Sequence, residues 1–122
     1  MAKKNRIDPN VAQWDSITAD AHALCYGDRG RLYDHPAIDY SRVAELFNSM
    51  IEGADITAAE AVVFMLCVKM SRISNGISHD FPAEMLRDSI VDLAGYAECL
   101  YGVMTYVPPE IDTEDDDEDD DE

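Results

Sequence analysis

Apolar residues recur at three- and four-residue intervals along most of this chain, and no segment alternates convincingly enough to be a strand. The pattern predicts four helices. The first opens at DPNVAQW, where Asp8 suits an N-cap and Pro9 the first helical position. Trp14, Ile17, Ala21 and Leu24 follow at helical spacing, and Gly27 can end the element. The second starts near Pro36, carries Tyr40, Val43, Phe47, Met50 and Ile51 on its apolar side, and closes at Gly53. The third opens on Thr57-Ala-Ala-Glu60, a capping-box pattern, and continues AVVFMLCVKMSRI. It is apolar nearly all round, which predicts the central and most buried helix. The fourth runs from about Ala83 to about Thr105, ahead of Pro108 and Pro109. At 100° per residue, Leu86, Ile90, Leu93, Ala97, Leu100 and Met104 share one side of it. Arg87, Glu98 and Thr105 mark its expected water face.

Four helices with short connections predict an all-α fold, an antiparallel four-helix bundle or a close variant. A length of 122 residues makes one domain the default, and an apolar fraction of 47% is enough for a core. Strong apolarity in the third and fourth helices of so small a chain points to a homo-oligomer. The net charge of −17 is unevenly placed. Residues 110–122 hold eleven acids and no base, against fifteen acids and nine bases over 1–109. The chain therefore divides into a helical domain, 1–109, and an acidic tail, 110–122. The tail has almost nothing apolar to bury and is expected to be disordered. Such an acid excess repels nucleic acid and anionic membranes, so direct nucleic-acid binding is not expected. The tail could instead mimic nucleic acid toward a host protein. Cys25, Cys67 and Cys99 form no CxxC pair and no zinc spacing with His22, His35 or His79. MAKKNRIDPN lacks the apolar core of a signal peptide, and no uninterrupted apolar run approaches ~18 residues. A cytoplasmic protein in a reducing compartment is the expectation.

The chemistry concentrates in DSIVDLAGY, residues 88–96. Asp88 and Asp92 stand four apart, one above the other on a helix, where like charges repel. They share a stripe with Gly95, Tyr96 and Cys99, away from both the main apolar arc and the water face. A stripe of small residues beside carboxylates suits a cleft, and two stacked carboxylates need a cation. Lys69 and Arg72, three apart on the third helix, could supply it as ion pairs. Alternatively the aspartates could hold Mg²⁺, which uses one or two carboxylates plus phosphate oxygens and water, while the bases face substrate phosphates. Glu60 is a third carboxylate for such a site, or else the capping residue of its own helix. The loop YGDRGRLYDHP gathers Arg29, Arg31, Tyr33 and His35, which could clamp a nucleotide or form an ordinary polar connection. Its spacing matches neither a P-loop nor GxGxxG, and no Ser/His/Asp or Cys/His constellation is present.

YGDRGRLYDHPAIDYSRVAELF, ITAAEAVVFMLCVKMSRI and DSIVDLAGYAE together resemble an uncharacterised family of small all-helical proteins of tailed phages and prophages, over roughly residues 16–101. The shared pattern is a GDR…Y loop, a K-x-x-R helix end and a closing D-x-x-x-D-x-A-G-Y helix. This chain departs at Asp34, where the pattern has glycine, and in its acidic tail. The family is similar in turn to MazG-like all-α NTP pyrophosphohydrolases, Mg²⁺ enzymes that form dimers or tetramers and cleave between the α- and β-phosphates of (d)NTPs. The resemblance implies nucleotide binding, with Asp88 and Asp92 as catalytic metal carboxylates and Glu60 as the candidate from the other motif. Lys69, Arg72, Arg29, Arg31, Tyr33 and Tyr96 would then contact substrate. The enzymes' ExxE motif is absent, since Glu60 has no acid three residues away.

Overall fold

The computed structural model describes residues 16–27 and 32–110. Asp8, Pro9 and Trp14 of the first expected helix, Arg29 and Arg31 of the loop, and the tail from residue 111 lie outside the described residues. Within them the chain is all-α, with four helices packed together and no strand. These are α1 (Ile17–Tyr26), α2 (Pro36–Met50), α3 (Ala58–Ser78) and α4 (Ala83–Thr105).

Each start has a local cause. Ser16 caps α1, its side chain accepting the Ala19 N–H at 3.1 Å. His35 caps α2 through Nδ1, which accepts the Ala37 N–H at 3.0 Å just after Pro36. Thr57 and Glu60 form the full reciprocal capping box of α3. Between α2 and α3 the Asn48 amide both donates to the Ile56 carbonyl (3.0 Å) and accepts from its N–H (2.9 Å). Gly53, at φ 82°, supplies the left-handed residue of that turn.

The central helix is α4, not α3 as its composition suggests: α4 packs against each of the other three. Small residues make the contact faces. Ala21, Ala37, Ala44, Ala61 and Gly76 are buried with Val62 and Val91, and Val62 is the largest side chain fully out of solvent. Gly76 lets Leu86 of α4 sit against the α3 backbone. On α2 the inward stripe passes through Ala37 and Ala44, so Val43, Phe47, Met50 and Ile51, expected inside, are exposed. α3 likewise leaves Val63, Phe64, Met70 and Ile77 exposed. By length and composition alone α3 could cross a membrane, although no uninterrupted apolar run reaches that length. It is broken by Lys69 and Arg72 and shares its inner face with α4. α1 is fixed on α4 by Arg87, whose Nη2 lies 2.7 Å from Asp20 Oδ2, and by the Tyr26 hydroxyl, which donates to Glu98 at 2.8 Å. Arg87 and Glu98 thus reach across to α1 rather than simply facing water.

Candidate functional site

The stripe on α4 faces a cavity of about 570 Å³, within the range of small-molecule sites. Cys25 and Tyr26 at the end of α1 form one wall. Tyr33 to Pro36, with Asp39 and Tyr40 of α2, form a second. Asp92, Gly95, Tyr96, Glu98, Cys99 and Gly102 of α4 form the third, and Lys69 reaches in from α3. Gly95 and Gly102 keep the α4 wall low: a Cβ at Gly95 would meet only Cys25 Sγ at 3.5 Å, and one at Gly102 only the His35 ring and Pro36.

The structure separates the two aspartates. Asp92 pairs with Lys69, Nζ to Oδ2 2.9 Å, with the lysine side chain 11% exposed and the aspartate 27%. Asp88 lies on the same side of α4 one turn earlier, exposed and outside the cavity lining. Arg72 is exposed and makes no ion pair among the described residues. Glu60 is committed to its cap: Oε1 accepts the Thr57 N–H at 2.9 Å while its own N–H donates to Thr57 Oγ1 at 3.1 Å. Among the described residues no three His, Cys, Asp or Glu side chains come together in a way that could hold a metal. A resident Mg²⁺ on Asp88, Asp92 and Glu60 does not fit this donor set. The one partly buried carboxylate of the three, Asp92, already has an ammonium where the ion would sit.

The other acids of the cavity also have partners. Arg42 Nη2 lies 3.1 Å from Asp34 and 3.8 Å from Asp39. Glu98 accepts the Tyr26 hydroxyl, and this bond, more than burial, raises the Tyr26 pKa. Asp34 adopts φ 69°, the left-handed conformation that glycine takes most easily and aspartate tolerates. The glycine expected there has a backbone reason, and its replacement adds a carboxylate held by Arg42. Burial, with Tyr96 alongside, pushes the Tyr40 hydroxyl well above its ordinary range.

Sequence reasoning brought Asp92, Lys69, Tyr33 and Tyr96 to this cavity and missed Tyr26, Asp39, Tyr40 and Glu98. The available signal was tyrosine: of six in the chain, Tyr26, Tyr33, Tyr40 and Tyr96 line one cavity. Helical periodicity places Tyr40 on an apolar side and Glu98 on a water face, because it does not record what a neighbouring helix brings.

Burial pushes the Cys99 thiol up to about 12 from an ordinary 9.0, with Cys25 contributing. Between those values the unfolded chain loses this proton and the folded chain keeps it, so stability falls as pH rises from about 9 toward 12. The corresponding free energy is ~4 kcal/mol at most. Partial exposure reduces this to the order of 1–2 kcal/mol. Urea unfolding at pH 8 and pH 10.5 should show this alkaline loss, and Cys99→Ala should shrink it.

The chain belongs to a family described as a domain of unknown function, DUF6378, whose model matches residues 16–104. The match spans all four helices and every described wall of the cavity. The chain is also similar to the Gene 55 protein of Mycobacterium phage D29, 31% identical over 86 residues covering 70% of this chain and 52% of that protein. It is 28% identical over 85 residues to the Gene 55 protein of Mycobacterium phage L5, covering 70% and 50%. The chain thus spans about half the length of these curated relatives. No solved structure matches it.

Proposed function

We propose that this phage-type protein binds a nucleotide in the cavity between α1, α2 and α4, and acts through that binding rather than by metal-dependent hydrolysis on its own carboxylates. The observation that carries this is the convergence of four tyrosines, a lysine held by Asp92 and several partnered carboxylates on one cavity of about 570 Å³. Tyrosine rings give a planar base stacking surface, and base–aromatic stacking contributes about 1–3 kcal/mol per base. Asp39 and Glu98 offer acceptors to exocyclic amines. The resemblance to MazG-like pyrophosphohydrolases suggests the ligand class, while the absent ExxE motif and the capped Glu60 leave the hydrolytic half of that chemistry unsupported.

Charge sets the form of the ligand. Among the described residues Asp34, Asp39, Asp92 and Glu98 outnumber Arg42 and Lys69 around the cavity, which disfavours a bare polyphosphate. A triphosphate enters as its Mg²⁺ complex, the metal arriving as part of the ligand. The resemblance would have Arg29 and Arg31 contact its phosphates; both lie outside the described residues. A thermal-shift screen of nucleosides, nucleoside mono- and triphosphates, with and without Mg²⁺, tests this. At ligand a hundredfold above Kd the stabilisation is about 2.7 kcal/mol, a shift of several degrees for a domain of this size. Triphosphates should require Mg²⁺ and nucleosides should not. No shift with any of them overturns the proposal.

A further inference from the structure

We propose that α3 pairs with α3 of a second copy of this chain through a solvent-facing apolar seam distinct from the cavity. Val63, Cys67, Met70, Ser74 and Ile77 are spaced four, three, four and three apart, which places them on one line along the helix. This is the spacing of a coiled-coil seam. All five are exposed: Val63 44%, Met70 52% and Ile77 65%, with Cys67 and Ser74 also open and Phe64 at 64% beside them. Solvent-facing helix surfaces are normally charged, yet after Glu60 this arc carries no charged side chain. The two bases of α3, Lys69 and Arg72, lie on other sides of the helix, Lys69 turned toward α4.

Three features select a second copy as the occupant. The seam spans Val63 to Ile77, fifteen residues and about 21 Å of helix. With Phe64 it offers on the order of 500 Å² of exposed surface per copy, so self-pairing can bury up to about 1,000 Å², the lower end of specific interfaces. An isologous contact requires a face complementary to itself, and an uncharged 4-3 seam of four apolar residues and one serine meets that requirement against its own copy. Finally, two chains of net charge −17 repel one another, least so across a face that carries no charge, and this arc is such a face. The same charge opposes an anionic membrane.

Light scattering coupled to gel filtration at about 100 µM, near the weak end of specific association, tests the pairing on the full chain. The expected mass is twice the 13.6 kDa of one chain. Met70→Glu and Ile77→Glu, both at exposed positions, should each return the chain to one-copy mass with unchanged far-UV circular dichroism. Arg72→Glu, off the seam, should leave the dimer intact. A monomeric wild type overturns the proposal, as does a dimer that survives both seam substitutions. A chain that is monomeric in buffer but sediments with phosphatidylcholine vesicles overturns it in favour of a membrane surface.

Discussion

Lys69→Ala should lower the stability of this protein by about 2–3 kcal/mol in urea unfolding. The lysine is the near-buried member of a 2.9 Å ion pair whose aspartate is only about a quarter exposed. Removing the ammonium leaves a partly buried Asp92 without its cation beside the other carboxylates of the cavity. Breaking a fully buried pair in this way costs about 3–5 kcal/mol, and residual access to water trims that figure here. Asp92→Asn should cost less, about 1–2 kcal/mol, because the amide still offers an oxygen to Lys69. Lys69→Met combined with Asp92→Leu should recover most of the loss, since an apolar pair of similar volume carries no desolvation cost. If Lys69→Ala unfolds within ~0.5 kcal/mol of wild type, the range of ordinary surface substitutions, the pair is not what holds Asp92 in its place.

Gly76→Val should be comparably damaging, by about 2–3 kcal/mol, for a steric reason. A Cβ at position 76 would overlap the Leu86 side chain, with both Leu86 methyls and its Cγ too close. Overpacking a contact of this kind typically costs about 1–3 kcal/mol, and valine adds two further methyls to the collision. Gly76→Ala tests the balance more finely, because alanine regains up to ~1 kcal/mol of helix propensity while Leu86 must still move. Adding Leu86→Ala to Gly76→Val should be less damaging than the two single costs added together, since it vacates the space the valine needs. Strict additivity of the two would mean that the α3–α4 approach does not depend on this glycine.

Much of this architecture is written in local signals. The capping box at Thr57–Glu60, the Pro36 start, the Gly53 turn and the end of α4 ahead of the proline pair all act within a few residues, and all are where the sequence places them. The expected cleft-facing character of Asp92, Gly95, Tyr96 and Cys99 also appears, because a helix fixes which residues share a face. What the sequence hides is which neighbour each face meets. α3 looks central because it is apolar all round, but α4 takes that position, and the surplus apolar surface of α3 is left exposed. Asp88 and Asp92 look equivalent at four apart, yet the cavity begins one turn later and takes only Asp92. Arg87 and Glu98 look like a water face until α1 supplies Asp20 and Tyr26. The cavity itself joins residues up to 78 positions apart, Leu24 to Gly102, a separation no local pattern encodes.

The central claim is that the space between α1, α2 and α4 is a nucleotide site, and Gly102 gives direct access to it. A Cβ placed there meets His35 and Pro36 only at ordinary contact distance, so Gly102→Leu starts without a clash and carries its remaining carbons into the cavity that Gly102 lines. Replacing a mid-helix glycine should also stabilise α4, by up to ~1 kcal/mol. Isothermal titration calorimetry of the best Mg²⁺–nucleotide from the thermal-shift screen, run against wild type and Gly102→Leu, is therefore the decisive measurement. The account predicts saturable binding to wild type and at least tenfold weaker binding to a variant as stable as wild type or more so. Equal binding to both, or no heat from either, would contradict it.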